Sequence, residues 1–371
     1  MLTIKAPEQY LNQPDLLSQA GEHISRYGKR AFIITGQTAF EQVGGTLNAS
    51  LDEQRIAHQK VTLSGYPTRR IIELFSQQAK NFTANVIIAI GGGRVCDTAK
   101  VVGDRLGLPV VAVPTIAATC AAWAAVSILY DEEGDFDAVH LNRRSPVLVL
   151  ADTRVILAAP ARYTHAGVLD TLAKWYETEP NHTPDVHSLT LPQMIHTARL
   201  AFDVLSRQAR QAIEEGQRGV VTQAGLDTVD AIIYLAGQVG TLHDGRHFGG
   251  FAHPYYQAST RLAHTRYRLH GDKVALGLLT QFVISGIDYD SFRERVQLFE
   301  QFNLALTLEE IGISDDIDAD IALLAQETFS ELQRLTRLPF ASGPQQIETA
   351  IRQTDRWVRQ IRAAVPHHTA A

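Results

Sequence analysis

Residues 86–90 (VIIAI) run without a polar interruption into Gly91-Gly92-Gly93, and helical spacing resumes at about Val95. A strand with no polar alternation is buried on both faces, as in a parallel sheet covered by helices. Short apolar runs stand at 31–35 (AFIIT), 110–113 (VVAV) and 147–150 (VLVL), 55–63 supplies another strand, and helical segments stand at 40–51, 67–80 and 95–106. This alternation predicts an α/β layer structure. Between the last two strands, 127–130 and 136–140 flank Asp131-Glu132-Glu133-Gly134 and read as a small hairpin.

After Ala158-Ala159-Pro160 the strand signal stops. Segments 192–210, 225–240, 273–284, 289–302, 315–337 and 345–364 carry apolar residues at three-to-four spacing and predict helices. The boundary falls at 155–162, which gives an α/β domain over 1–160 and an all-α domain over 161–371. There is no internal repeat, and the tail 366–371 reads as mobile.

Composition narrows the function. The balance of 34 Lys plus Arg against 40 Asp plus Glu, with no basic block, argues against nucleic acid or an anionic membrane as partner. No apolar run reaches the roughly 20 residues of a membrane helix. The opening MLTIKAPEQYLNQ lacks a signal-peptide pattern. Two cysteines, Cys96 and Cys120, make neither a disulfide framework nor a cysteine-rich metal motif. The expectation is a soluble, cytoplasmic protein.

A glycine turn between strand and helix can seat a phosphate, because free N–H groups and the helix dipole both favour an anion there. The full G-x-G-x-x-G fingerprint fails at Cys96, and no acidic residue stands about 20 positions later. A bare tight turn is therefore an equal reading. Residues 113–123 (VPTIAATCAAW) end a strand at the expected carboxyl edge of the sheet. Their small side chains would let a flat ligand lie close, or let the loop pack under the second domain.

Of the 14 histidines, two stand out: His253 follows the glycine-rich Phe248-Gly249-Gly250-Phe251-Ala252, and His270 opens His270-Gly271-Asp272-Lys273 at the start of an apolar helix. His264 is a further candidate, and the polar segment 243–247 reads as a loop. Imidazoles suit zinc or iron, yet H-E-x-x-H is absent and spacing alone selects no ligand set. On a helix Asp170, Lys174 and Glu177 share one face, while Leu169, Leu172 and Trp175 mark that segment as buried.

Together these segments resemble the glycerol dehydrogenase branch of the iron-containing (group III) alcohol dehydrogenases, whose wider superfamily includes dehydroquinate synthase. The motif G-G-G-K-x-x-D-x-A-K is similar to residues 91–100, P-T-I-A-S-T to 114–119, G-D-x-L-A-x-W-x-E to 169–177, and H-x-x-H-N-G…H-G-E-K-V-A-x-G to 253–277. The resemblance implies a dinucleotide-binding α/β domain, a helical domain of the dehydroquinate synthase type, and an active site between them. It implies NAD(P)(H) and a divalent metal, zinc ahead of iron, held by Asp170, His253 and His270. Gly92, Gly93 and Arg94 would take the pyrophosphate. Thr115, Ala118, Ala124, Val126 and Tyr130 would line the nicotinamide side, and Gly36 would face the adenosine ribose. A small-molecule substrate and a homo-oligomer are also implied.

Departures from the family bear on the substrate. Cys120 stands where glycerol dehydrogenases place an aspartate, and Lys174 stands one turn after the metal aspartate. A neutral thiol and an ammonium favour a substrate carboxylate, unless Lys174 simply pairs with Glu177 or Glu179. The combination resembles members that reduce 2-oxo acids to 2-hydroxy acids, ahead of glycerol or another polyol. Gly36 replaces a ribose-binding aspartate, so NADP(H) is tolerated. Tyr256-Gln257-Ala258 replaces H-N-G, and Arg94 replaces lysine. The competing readings are a dehydroquinate synthase-like lyase and a non-catalytic dinucleotide-binding protein. The first needs a basic cluster for a substrate phosphate, which the sequence does not assemble around the metal motifs.

Overall fold

The computed structural model describes residues 2–183, 186–243, 245, 246, 248–335, 338, 340 and 343–364. Asp244, His247, Arg337 and the tail 366–371 lie outside them. The strands are β1 (Thr3–Ile4), β2 (Gln9–Gln13), β3 (Arg30–Thr35), β4 (Ala57–Thr62), β5 (Val86–Gly91), β6 (Val110–Pro114), β7 (Val126–Tyr130), β8 (Phe136–Leu141), β9 (Leu148–Asp152) and β10 (Leu242–His243). Helices α1 (Ala20–Ile24), α2 (Gln37–Glu53), α3 (Arg69–Asn81) and α4 (Gly93–Leu106) alternate with the first six strands.

Six strands form one sheet in the order β2-β9-β6-β5-β3-β4, and every pairing in it is parallel. The apolar strands are central for the reason their sequences suggest. Ile33, Ile88 and Ile90 pack on one face with Leu47 and Leu51 of α2. Phe32, Ile34 and Ile87 pack on the other with Ile72 and Phe75 of α3 and Val102 of α4. Each such side chain contributes roughly 1.5–3 kcal/mol when fully buried. β7 and β8 form the separate antiparallel hairpin.

Because β4 and β5 flank β3 on opposite sides, the chain reverses direction across the sheet there. Open α/β sheets bind ligands in the crevice at the carboxyl ends of such a pair. Gly36 follows β3 and Gly92 follows β5, so both face that crevice.

The remaining helices are α5 (Thr153–Ala158), α6 (Ala161–Thr178), α7 (Thr190–Gln217), α8 (Gln223–Asp230), α9 (Ala236–Val239), α10 (Ala252–Ser259), α11 (His270–Ile284), α12 (Tyr289–Glu300), α13 (Leu308–Ile311), α14 (Ile317–Leu335) and α15 (Pro344–Ala364). A wider-wound turn, Ala231–Leu235, joins α8 to α9. The helical half is not free of strand: β10 pairs antiparallel with β1, so the segment expected as a loop at 243–247 begins in a short strand. Two residues are too few for a periodic pattern. Among the described residues no helix is long and apolar enough to cross a membrane.

Candidate metal and active site

Helix α6 is the spine of the site. Leu169, Leu172 and Ala173 bury its apolar side, and Asp170 sits among them, only 2% exposed. Helix α11 crosses α6 so closely that a Cβ on Gly271 would lie 2.2 Å from the Ala166 carbonyl oxygen. Only glycine permits that approach, and it brings His270, the first residue of α11, onto Asp170. Helix α10 packs alongside and supplies His253.

The three donor sets converge. Asp170 Oδ1 is 3.3 Å from His253 Nε2 and 3.2 Å from His270 Nε2. One donor atom from each residue lies within 4.8 Å of the other two. Ligands about 2.0–2.1 Å from a tetrahedral metal sit roughly 3.3 Å apart, a spacing that both Asp170–imidazole distances match, and the set as a whole, within 4.8 Å, suits a divalent ion. Two imidazoles and one carboxylate are also the donor types of a catalytic metal centre with an open position.

Glu177, two turns along α6 from Asp170, accepts from His253 Nδ1 at 2.5 Å and from the His253 backbone N–H at 3.0 Å. That contact fixes Nδ1 as the protonated nitrogen and aims Nε2 at Asp170. Glu177 appears in the sequence only as one carboxylate on a helix face, and its role depends on a tertiary contact. Burial works against charge on Asp170, but Lys174 and the two imidazoles outweigh it and hold the carboxyl well below its usual range. Burial likewise opposes a charged His253, yet chiefly the Glu177 carboxylate carries it up to about 9. Burial dominates at His270 and pushes that imidazole down.

Lys174 pairs with neither Glu177 nor Glu179. Its Nζ is 3.4 Å from Asp170 Oδ1 and 3.5 Å from His253 Nε2, at the rim of the triad. Burial raises the Cys120 thiol, opposed by the Lys174 ammonium and reinforced by the Asp170 carboxylate. His264 is elsewhere: it pairs with Asp320 at 2.8 Å. The structure thus separates it from the ligand candidates, since its ring is committed to the half-buried Asp320 carboxylate.

On the opposite wall, Gly91 turns with φ +150°, where a Cβ would press on Val95 at 3.0 Å. Gly93 opens α4 opposite Thr119 and Ala121. Thr115 leaves β6 beside this turn, its N–H donating to the Gly91 carbonyl at 3.3 Å. Ala118 lines the same cleft. The carbonyls of Ala124 and Val126 accept from the buried Lys100 ammonium, which fixes that stretch of loop. The Arg94 guanidinium lies over the Tyr66 ring and donates to the Gly65 carbonyl, rather than pointing into the turn. Tyr130 hydrogen-bonds Tyr256 through their hydroxyls at 2.8 Å, a contact from the β7–β8 hairpin to the helical half.

Residues 7–153 match the model of the iron-containing alcohol dehydrogenase family. Over 95% of its length the chain is 32% identical to hydroxycarboxylate dehydrogenase A of Escherichia coli, covering 97% of that protein. It is 30% identical to glycerol dehydrogenase of Citrobacter freundii, over 95% of this chain and 96% of the relative. The crystal structure of glycerol dehydrogenase from Schizosaccharomyces pombe superposes with a TM-score of 0.85 at 26% identity, over 97% of this chain and 92% of that one.

Proposed function

This chain belongs to the iron-containing alcohol dehydrogenase family, and on that premise we propose that it reduces a small 2-oxo acid to the 2-hydroxy acid at a metal held by Asp170, His253 and His270. The enzyme is a metal-dependent, nicotinamide-linked oxidoreductase acting on an alcohol or its carbonyl partner. The observation that carries the site assignment is the convergence of one carboxylate and two imidazoles within 4.8 Å beside the cleft. When bound, the metal supplies Lewis-acid polarisation of the substrate oxygen and the nicotinamide supplies or accepts a hydride.

The chain's own residues do the rest. Glu177 holds the His253 ring in one orientation, so the ligand geometry is set before substrate arrives. The backbone at Gly92 and Gly93 offers N–H groups to the coenzyme diphosphate at the start of α4. Thr115, Ala118, Ala124, Val126 and Tyr130 stand as the nicotinamide wall in this reading. Zinc ahead of iron is the reading the family resemblance carries; two imidazoles and one carboxylate suit either metal. Gly36 offers no carboxylate against a 2′-phosphate, which supports use of NADP(H) as well as NAD(H). Residues 1–160 serve as the coenzyme domain and 161–371 as the metal and substrate domain.

The substrate reading rests on charge. Were Asp170 given to a divalent cation, the Lys174 ammonium, now 3.4 Å from that carboxylate, would be left to meet a substrate carboxylate. Cys120, being neutral, does not oppose it. Glycerol or another polyol is the second reading, favoured by likeness to the Citrobacter freundii enzyme. The deciding experiment measures metal content together with NAD(P)H oxidation over a panel of 2-oxo acids, neutral ketones and, in reverse, polyols. A metal-free active enzyme removes the triad assignment. A preference for polyols replaces the 2-oxo acid reading.

A further inference from the structure

One turn beyond His270, α11 carries Lys273, which is only 3% exposed. Among the described residues its Nζ has no hydrogen-bond acceptor within 3.5 Å and no carboxylate within 4.0 Å. The neighbouring carboxylate, Asp272, is committed elsewhere, accepting from the backbone N–H groups of Leu269 and Ala305 at 3.1 and 3.2 Å. The other deeply buried lysine is the contrast. Lys100 meets Asp97 at 2.9 Å and the carbonyls of Ala124 and Val126. A buried ammonium without an anion is costly, so it marks a position where one is missing. Burial, with the positive fields of Arg266 and Arg94, outweighs the field of the Asp272 carboxylate and brings Lys273 down to about 8.

The surroundings show which way the cation faces. Lys273 Nζ lies 5.1 Å from the centre of the Tyr256 ring. The same ring meets His270 edge-on at 4.1 Å. The Tyr256 hydroxyl bonds Tyr130, Tyr130 packs on Tyr66 at 5.1 Å, and Arg94 caps Tyr66 at 4.6 Å. Lys273 thus stands at one end of a run of three tyrosines, Tyr256, Tyr130 and Tyr66, with Arg94 of the glycine-turn helix at the far end.

We propose that Lys273 is the cation of an anion subsite beside the metal triad, distinct from Lys174, that takes a phosphate of the dinucleotide or the second carboxylate of a dicarboxylic 2-oxo acid. The choice between these two sources of anionic oxygen rests on the oxidoreductase reading; the subsite itself does not. Its test therefore begins with inorganic pyrophosphate and succinate as probes, titrated calorimetrically into wild type, Lys273→Met and Lys273→Arg in the absence of coenzyme. Wild type binds at least one of them, Lys273→Met binds it tenfold or more weakly, and Lys273→Arg recovers most of the loss. Lys273→Met also melts no lower than wild type without ligand, because an unpaired buried charge has been removed. Equal probe binding in wild type and Lys273→Met, within twofold, overturns the proposal, as does a melting point that falls in Lys273→Met and is restored in Lys273→Arg with no change in binding. In the metal-loaded enzyme, a tenfold weaker NADH complex by fluorescence assigns the site to the diphosphate. A tenfold higher KM for dicarboxylic but not monocarboxylic 2-oxo acids assigns it to substrate. An enzyme inactive on every substrate, yet with intact Lys273-dependent probe binding, fails the redox reading alone.

Discussion

Glu177 and His253 are joined twice, side chain to ring at 2.5 Å and side chain to backbone N–H at 3.0 Å. One carboxylate thereby fixes both the position of α10 and the tilt of its imidazole. Partners of this kind typically govern metal affinity by 10–100-fold. Glu177→Gln should therefore weaken metal binding by about tenfold or more, measured by competition with a chromogenic chelator. The loss in kcat should be recovered by excess metal. A variant that binds metal as tightly as wild type would make Glu177 a packing residue only.

Lys174 is the residue that separates the two substrate readings. A charge-assisted contact to a carboxylate contributes about 1.5–3 kcal/mol, or roughly ten- to a hundredfold in KM. Lys174→Ala should raise KM for 2-oxo acids by about that factor while changing KM for a neutral ketone less than about threefold. Steady-state kinetics on matched substrates checks this. An equal effect on both returns Lys174 to a partner of Asp170 alone.

The sheet was legible because its central strands are apolar on both faces, a pattern that few other arrangements tolerate. β2 was not, since QYLNQ is a half-buried edge strand whose polar residues reach across to α8. The triad followed from family motifs rather than from spacing: Asp170 lies 83 positions from His253 and 100 from His270, so only the crossing of α6, α10 and α11 unites them. The contacts of Arg94 and the isolation of Lys273 depend on which neighbours fill the cleft. No one-dimensional pattern encodes that.

Asp104 ties α4 to β8 and the segment just after it. It accepts from the Arg143 backbone N–H and Nε, each at 3.0 Å, and from His140 Nε2 at 3.3 Å. Burial alone would raise its pKa, but these donors lower it overall. A lowered carboxylate pKa stabilises the fold above the unfolded value of about 3.9, and the gain is lost as pH falls through the folded value. Asp104→Asn should thus lose about 1 kcal/mol at pH 7, roughly 2–4 °C in Tm. The gap to wild type should close in melts taken toward pH 3. A gap independent of pH would mean the charge contributes nothing.

Asp230 has the opposite sign. Its Oδ1 accepts from the Tyr10 hydroxyl at 2.8 Å and the Asn12 amide at 2.7 Å, joining the edge strand β2 to α8. Burial raises its pKa despite both donors. A raised carboxylate pKa means that the native state holds its proton to higher pH than the unfolded chain. Stability therefore falls as pH climbs from about 3.9 through the folded value. Asp230→Asn keeps an acceptor for Tyr10 and removes the buried charge, so at pH 8 it should unfold in urea at the same or a higher midpoint than wild type. Asp230→Ala leaves Tyr10 and Asn12 with unmet donors and should lose about 1–3 kcal/mol at every pH. If Asp230→Asn is as damaging as Asp230→Ala at pH 8, the ionised carboxylate itself holds β2 to the helical half. The charge would then be a net stabiliser despite its burial.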